Sequence, residues 1–424
     1  MVIRAIYTLL LFIASPYFMW KLYKKKDSKP SVGTRWKEHF GFTPPLETEQ
    51  SPIWIHAASV GETLAVSPLI KALKSQYPDK NIVITTTTPT GAEQARKLQG
   101  IATHRYMPFD FSFAIRGFLD AIKPSQLLIM ETELWPNTLH TVSKHGIPIT
   151  VINARLSERS YQRYVKIKPV FEMLEKNLTQ VLCQYSDDAE RFIRLGVAKE
   201  KISITGSLKF DIEINKQIIH RGKALRKQLG YNRPIWIAAS THNGEDEKIL
   251  AAHKNILKVY NNALLILVPR HPERFNNVFN LSNNIFNTAR RTVLNNKPLN
   301  EGVQVYLGDT MGEMLVLMGA SDVCFIGGSL LGDKVGGHNM LEPSALSKPI
   351  ITGNSYYNFL AITEELKKNN AIIIIRSPEE LSASVSNFFS NSSYRKVAGE
   401  NSHFVFSKYS GAILSTIDKI NLHK

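Results

Sequence analysis

Short runs of isoleucine, valine and leucine recur along this chain from residue 53 onward, and segments of helix length separate them. The first set is IWIHA, NIVITTTT, QLLIMETE, IPITVINA, QVLCQ and ISITG, and the second is PIWIAAS, ALLILVPR, VQVYLG, VCFIGGS, PIITG and AIIIIRS. Near-continuous aliphatic runs that alternate with helices are typical of parallel strands covered by helices on both faces. The pattern predicts two doubly wound α/β domains in tandem.

A length of 424 residues agrees with two domains, because a single hydrophobic core rarely grows that large. We predict a first domain over residues 31–210 and a second over residues 234–402. The polar, helix-prone stretch at residues 211–233 is expected to form the linker and the first helix of the second domain.

The amino terminus is expected to form a membrane anchor. Residues 1–30 comprise about 19 mostly apolar residues followed by a lysine-rich collar, and such a helix would cover roughly 28 Å. This length is just enough to span a bilayer, while Arg4 and Pro16 leave open a helix that lies in the membrane interface. A retained anchor is favoured over a cleaved signal peptide, since Trp20 and lysines follow the apolar run where small residues would be needed. The lysines predict that the domains lie on the cytoplasmic side.

The charge balance favours anionic partners. Lys and Arg total 52 against 36 Asp and Glu, for a net charge of +16. Phosphorylated substrates and an anionic membrane surface fit this excess, whereas no nucleic-acid reader motif is present in the sequence. Cys183 and Cys324 lie in aliphatic runs, which predicts buried free thiols.

Polar residues follow several predicted strands at the ends where ligands bind in parallel sheets. Glu131 and Glu133 follow one strand, and Arg270 and His271 follow another. Further along, LGDTMGEM and the glycine-rich FIGGSLLGDKVGGHNMLE each lead into a predicted helix. Backbone N–H groups at such loops suit a phosphate, and Glu342 one turn into its helix suits ribose hydroxyls. The spacing of acidic, His and Cys residues gives no metal-binding pattern, so we predict no metal and no cofactor.

Glu62 has two interpretations. It follows a predicted strand in HAASVGET, where Ser59 and Glu62 fit the capping box that starts many helices. A carboxylate beside a turn of small residues also suits a general base. The sequence leaves both roles open.

Eight motifs together resemble the 3-deoxy-D-manno-octulosonic acid (Kdo) transferases of lipopolysaccharide assembly. They are HAASVGE, METELWPN, NARLSERS, GSLKFD, STHNGEDE, LVPRHPERF, GDTMGEM and GGHNMLEPSALSKP. The resemblance implies a GT-B glycosyltransferase with two Rossmann-like domains facing across a cleft. It also implies a carboxyl-terminal helix, within residues 403–424, that packs back toward the first domain.

The resemblance also implies the reaction and its residues. Kdo would pass from CMP-Kdo to the lipid A precursor (lipid IVA), with inversion, at the cytoplasmic face of the inner membrane. Glu62 would be the proton acceptor, and Glu131 (favoured over Glu133) and Lys209 would stabilise the transition state. The implied CMP contacts are Arg270, His271, Met311, Gly312, Glu313, Asn339, Met340, Leu341 and Glu342. The alternative hypothesis is a membrane-associated GT-B enzyme that uses a UDP-sugar. A third hypothesis is a noncatalytic protein at the membrane surface whose second domain senses a nucleotide.

Overall fold

The computed structural model describes residues 2–23, 31–48, 50–209, 211–212, 214–294 and 298–420. The chain divides into two compact units: unit 1 comprises Met1–Asp211 with Gly411–Lys424, and unit 2 comprises Ile212–Ser410. The lysines at positions 24–26, which dominate the predicted collar, lie outside the described residues.

Unit 1 is built on a parallel sheet. Its described strands are β1 Ile53–His56, β2 Ile82–Thr86, β3 Thr103–Tyr106, β4 Gln126–Met130, β5 Ile149–Ala154, β6 Gln180–Cys183 and β7 Ile202–Ile204, in the order β3-β2-β1-β4-β5-β6-β7. The helices are α1 Val2–Tyr23, α2 Val60–Gln76, α3 Pro89–Arg96, α4 Ser112–Ile122, α5 Pro136–Lys144, α6 Glu158–Lys166, α7 Lys168–Glu175 and α8 Ser186–Arg194, with 3₁₀ turns at Gly33–Phe40 and Lys199–Lys201.

Unit 2 repeats this plan. Its described strands are β8 Ile235–Thr241, β9 Leu264–Pro269, β10 Thr288–Arg290, β11 Val305–Leu307, β12 Val323–Ile326, β13 Ile350–Gly353 and β14 Ile372–Ile375, in the order β10-β11-β9-β8-β12-β13-β14. The helices are α9 Lys216–Leu229, α10 Asp246–Leu257, α11 Phe275–Asn283, α12 Met314–Ala320, α13 Leu341–Ala345, α14 Leu360–Lys368, α15 Pro378–Ser390 and α16 Ser392–Tyr409, with 3₁₀ turns at Pro272–Arg274, Gly332–Lys334 and Tyr357–Phe359.

The aliphatic runs form the buried layer of each sheet. In the structure, a strand forms in each of the twelve runs that were predicted to form strands. Central strands such as β1, β4, β9 and β12 are buried along their whole length. Trp54 and Trp236 are fully buried against the helices that cover their sheets. The prediction of two parallel α/β domains is therefore confirmed. The structure adds β3 and β10, which the sequence analysis missed; both are edge strands with polar residues and only partial burial.

The carboxyl-terminal segment belongs to unit 1. Helix α17, Ala412–Lys419, contributes Ala412 and Ile417 to the core cluster that contains residues of α2. The Asp211 carboxylate accepts the N–H groups of Gly411 and Ile413 at 2.9 and 2.5 Å. The predicted start of this segment, residue 403, falls inside α16, and the predicted linker is largely α9 of unit 2.

The amino-terminal helix α1 lies against unit 1 through polar contacts. The Tyr7 hydroxyl bonds to buried Asp110, and Asn137 donates to the Thr8 hydroxyl at 2.9 Å. Large apolar side chains on the rest of the helix are exposed, including Leu9, Leu10, Phe12 and Ile13. Within the described ranges, no helix combines the length and the apolar character needed to cross a membrane.

Candidate active site

Unit 2 has a cavity of about 350 Å³ at the carboxyl ends of β8, β9 and β12. It brings together five predicted donor-site residues: Arg270, Met311, Gly312, Asn339 and Glu342. Parallel order explains this meeting, since loops that are distant in sequence leave neighbouring strands at the same edge. Among the described residues, no hydrogen-bond or ion-pair partner is recorded for the Arg270 guanidinium. It therefore remains available to an anion.

Glu342 faces this cavity as an acid that readily takes up a proton. Burial raises the pKa of its carboxyl to about 7, against the opposing effect of the Arg270 charge. Asn339 precedes it, and the Asn339 side-chain oxygen accepts the N–H of Leu341 at 3.0 Å. Near neutral pH, Glu342 can either accept or donate a hydrogen bond to a hydroxyl.

Four other predicted donor contacts lie apart from the cavity lining. The Glu313 carboxylate is held by Arg221, Arg291 and Thr310, and its pKa is lowered chiefly by the hydrogen bond from Arg291. The side chains of Met340 and Leu341 are fully buried in the core. His271 is half exposed, 4.0 Å from the Glu273 carboxylate. For Met340 and Leu341, this geometry leaves the backbone as the part that a ligand would contact.

Backbone N–H groups at the start of the glycine-rich loop after β12 already donate hydrogen bonds to an acid that the sequence analysis did not single out. Glu245 is fully buried and accepts the N–H groups of Gly328, Ser329 and Leu330 at 2.6, 2.9 and 2.9 Å. It also accepts the N–H of His242 at 3.0 Å. The expectation that this part of the loop offers N–H donors to a phosphate is therefore wrong, because a protein carboxylate occupies that position.

Two further histidines, also absent from the predicted site, join His271 near the cavity. The Nε2 atoms of His242 and His338 are 2.8 Å apart, and the two rings, with centroids 5.0 Å apart and planes inclined by 11°, meet edge to edge. The His271 ring meets His242 edge-on at 5.4 Å. Burial lowers the pKa of His338 to about 4, with nearby positive charges adding to the effect, and burial also lowers that of His242. Both rings are therefore neutral at pH 7.

In unit 1, Glu62 lies in the first turn of α2 and does cap that helix. Its carboxylate accepts the N–H of Ala58 at 2.9 Å and the hydroxyl of Ser59 at 2.7 Å, while the Ser59 oxygen accepts the Glu62 N–H at 3.3 Å. Burial raises the pKa of Glu62; these hydrogen bonds oppose the shift, and the charges of Glu133 and Glu131 add to it. The side chain thus combines a capping role with the raised basicity of a candidate proton acceptor.

Glu131 and Lys209, to which the family resemblance gives a role in stabilising the transition state, form an ion pair. The Lys209 ammonium lies 2.7 Å from Oε1 of Glu131, and both side chains are partly exposed. Glu131 has a φ of 57°, in the left-handed region that non-glycine residues seldom adopt. Such strain at a strand end is frequent in functional sites. Glu133 instead accepts a hydrogen bond from the indole of Trp135 at 2.9 Å.

Comparison with known proteins identifies the family. A family model described as 3-deoxy-D-manno-octulosonic-acid transferase matches residues 34–212. A 3-deoxy-D-manno-octulosonic acid transferase of Haemophilus influenzae is 40% identical over 98% of this chain and 97% of its own. The chain belongs to the Kdo transferase family. A Bordetella pertussis relative of the same description is 34% identical over 73% of this chain and 72% of its own.

Solved structures agree with the architecture of this Kdo transferase family member. A UDP-GlcNAc 2-epimerase from Neisseria meningitidis covers 87% of this chain and 98% of its own with a TM-score of 0.53 at 14% identity. A glycosyltransferase from Rickettsia africae covers 88% and 97% with a TM-score of 0.52 at 14% identity. These likenesses show the fold: two parallel-sheet α/β units of the kind found in GT-B glycosyltransferases.

Proposed function

We propose that the protein is an inverting glycosyltransferase that moves Kdo from CMP-Kdo to the lipid A precursor lipid IVA. Membership of the Kdo transferase family supports the transferred sugar. The observation that carries the donor assignment is the cavity of unit 2, where the Arg270 guanidinium has no recorded partner among the described residues and Glu342 lies in its lining. An arginine fork suits the single phosphate of a CMP-sugar, and Glu342 suits the ribose hydroxyls.

The proposed chemistry begins with the acceptor hydroxyl. A sugar hydroxyl is a weak nucleophile at neutral pH, so a carboxylate within hydrogen-bond reach must take its proton as the new bond forms. Glu62 fills this role in the proposal. Each Glu62 oxygen has one recorded hydrogen bond, from Ala58 or Ser59, and each carboxylate oxygen has a second lone pair for the incoming proton.

The leaving group is a cytidine phosphate whose negative charge grows as the glycosidic bond breaks. Fixed cations that are aimed at the developing charge lower this barrier without having to reorganise. Arg270 of unit 2 is the cation that we assign to the phosphate, and Lys209 of unit 1 keeps the role in stabilising the transition state that the family resemblance implies. Glu131 holds Lys209 in place through the 2.7 Å ion pair, which makes Glu131 a positioning residue in this scheme.

We also propose that α1 attaches the protein to the cytoplasmic face of the inner membrane by lying in the interface. Exposed apolar residues along α1 supply the buried area, and the basic excess of the chain supplies attraction to anionic headgroups. An acceptor that carries acyl chains would then meet the enzyme where those chains reside.

The deciding experiment incubates the purified full chain with CMP-Kdo and lipid IVA and measures the product mass. We expect Kdo adducts, and we expect CMP to raise the unfolding temperature more than UDP does. Glu62→Gln should lower turnover by about 10³-fold or more, while CMP affinity stays unchanged. Because glutamine also serves in a capping box, this variant removes the base and keeps the helix start.

Glu93→Gln, an exposed acid on α3, is the matched control and should keep full turnover. Two results would count against the scheme. A larger rise in unfolding temperature with UDP than with CMP would indicate a UDP-sugar as the donor. Full activity in Glu62→Gln would leave Glu62 with its capping role alone.

A further inference from the structure

The imidazoles of His242 and His338 lie at the same sheet edge as Arg270. His242 follows β8, Arg270 follows β9, and His338 comes after β12, and these three strands are neighbours in the order β9-β8-β12. His338 lines the cavity together with Arg270. The two rings therefore belong to the surroundings of the donor, although no role has been assigned to them above.

The pair is held in place by its surroundings. The Glu245 carboxylate binds the His242 N–H and, through Gly328, the backbone against which His338 packs. A Cβ atom at Gly328 would come within 3.0 Å of the His338 ring, so the ring fills the space beside that glycine. Gly337, next to His338, donates its N–H to the Gly328 carbonyl at 2.8 Å. Such support is what a binding group with a fixed direction requires.

The contact between the two rings leaves one N–H donor unused. Two neutral imidazoles whose Nε2 atoms are 2.8 Å apart must contain one donor and one acceptor at that contact. The accepting ring then carries its proton on Nδ1. Among the described residues, no hydrogen-bond partner is recorded for either Nδ1, so the pair can offer this N–H to a ligand.

The proposed donor, CMP-Kdo, carries two anionic groups and therefore needs a second anion subsite. Kdo is a 2-ulosonic acid, and its carboxylate is bonded to the same carbon that carries the phosphate in CMP-Kdo. The donor therefore presents two negative groups side by side, and one guanidinium matches only one of them bidentately. An N–H donor next to Arg270 fits the other.

We propose that His242 and His338 bind the carboxylate of the donor sugar and thereby select a CMP-linked ulosonic acid over other cytidine phosphodiesters. This inference rests on the proposed function. Arg270 holds the phosphate, and the histidine pair recognises the carboxylate beside it. The pair acts by binding and orientation.

The test compares two cytidine phosphodiesters that differ in the carboxylate. CMP-Kdo and its methyl ester, in which only the carboxyl group of the sugar is esterified, are titrated calorimetrically into the full chain without acceptor. His338→Phe keeps a flat ring but has no N–H, and His338→Asn keeps a donor near the position of Nδ1. His403→Phe, on an exposed position of α16, is the control.

We expect His338→Phe to weaken CMP-Kdo binding about tenfold, which corresponds to about 1.4 kcal/mol. Its affinity for the methyl ester should change less than twofold, and that unchanged affinity shows that the cavity is intact. His338→Asn should recover part of the loss, and His403→Phe should change neither affinity. Equal losses for both ligands, or no loss for CMP-Kdo, would overturn the carboxylate subsite. Failure of the unaltered protein to bind either ligand would instead overturn the proposed function, and this inference with it.

A pH series gives a second readout that packing alone would not move. A bound carboxylate favours proton uptake by the pair, whose pKa values are lowered to about 4 for His338 and below the ordinary value for His242. The preference for CMP-Kdo over the methyl ester should therefore shrink as the pH rises from about 4 to 6.5. The charged and titratable groups facing the pair are Glu245, Arg270, His271 and Arg274. Glu342 lines the same cavity as His338, and burial raises its pKa to about 7, so it can also affect the two ligands differently. The share that belongs to the pair is the pH dependence that His338→Phe removes. A ratio that is constant with pH, or that changes equally in His338→Phe, would contradict the assignment.

Discussion

At the scale of single residues, several acids follow strand ends in similar sequence contexts and yet have different surroundings. Glu62 caps its own helix and has a raised pKa, Glu131 is paired with Lys209, and Glu313 is held by two arginines. Glu342 has the cation Arg270 nearby but no close ion-pair partner among the described residues. A carboxyl that is buried in this way favours its protonated form, which is costly for stability and useful for binding hydroxyls.

The raised pKa of Glu342 predicts a pH-dependent stability. With a folded pKa of about 7 against an ordinary 4.5, the folded protein keeps a proton that the unfolded chain releases between these values. The free energy of unfolding should therefore fall as the pH rises through this window. Glu342→Gln cannot ionise, so it should be more stable than the parent above pH 7, by about 1–3 kcal/mol, and nearly equal below pH 4.5.

Urea unfolding at pH 4.5 and pH 8 measures this difference. Glu190→Gln, an exposed acid on α8, is the control and should follow the parent at both pH values. A Glu342→Gln variant that is no more stable than the parent at pH 8 would show that the carboxyl ionises without cost. The same variant should bind CMP more weakly, since it loses the carboxylate proposed for the ribose.

At the scale of elements, the loop after β12 depends on one side chain from the loop after β8. Glu245 receives three of its hydrogen bonds from Gly328, Ser329 and Leu330, 83 to 85 positions later in the chain. A buried carboxylate with four N–H donors is well compensated. Removing its charge leaves buried N–H donors without acceptors. The free-energy cost of an unpaired buried donor usually exceeds the net stabilisation that its hydrogen bond provides.

Glu245→Gln should accordingly lower the free energy of unfolding by about 2–4 kcal/mol, because the amide NH₂ group meets N–H donors. Chemical denaturation measures the loss. The matched control is Glu247→Gln, an exposed position on the same helix, which should change stability by less than about 0.5 kcal/mol. A loss as small as the control's would mean that the loop keeps its shape without this carboxylate.

At the scale of the whole molecule, the proposed membrane attachment combines the net charge with α1. In this proposal the formal charge of +16 supplies attraction to anionic bilayers, and exposed Leu9, Leu10 and Ile13 supply apolar area for the interface. Changing these three residues to glutamine, a good helix former, should reduce cosedimentation with anionic vesicles at least tenfold while α1 stays helical.

A matched triple variant tests whether position matters. Ile219→Gln, Val259→Gln and Val397→Gln remove three exposed apolar side chains from unit 2 and should leave vesicle binding unchanged. Vesicles of neutral lipid should bind the parent less tightly, since the electrostatic part is lost. Equal binding by both triple variants would show that α1 is not the attachment site.

The sequence by itself determined the fold class and twelve of the strands in the described residues, because burial on both faces of a parallel sheet demands continuous aliphatic runs. It also predicted that the loops carrying Arg270, Gly312, Asn339 and Glu342 meet at one edge, since parallel strands bring their carboxyl ends together, and these residues line one cavity in the structure. The edge strands β3 and β10 escaped prediction because incomplete burial permits polar residues there.

Only the tertiary structure decided which polar groups pair with one another. Three contacts join distant parts of unit 2: His242 bonds to His338, Glu245 accepts N–H groups of the glycine-rich loop, and Glu313 pairs with Arg221 and Arg291. Each partner looks ordinary in its own stretch of sequence. Hydrogen bonds and ion pairs depend on distances of a few ångströms between atoms, and a linear pattern fixes the strand on which a residue lies but not the neighbour that its side chain reaches.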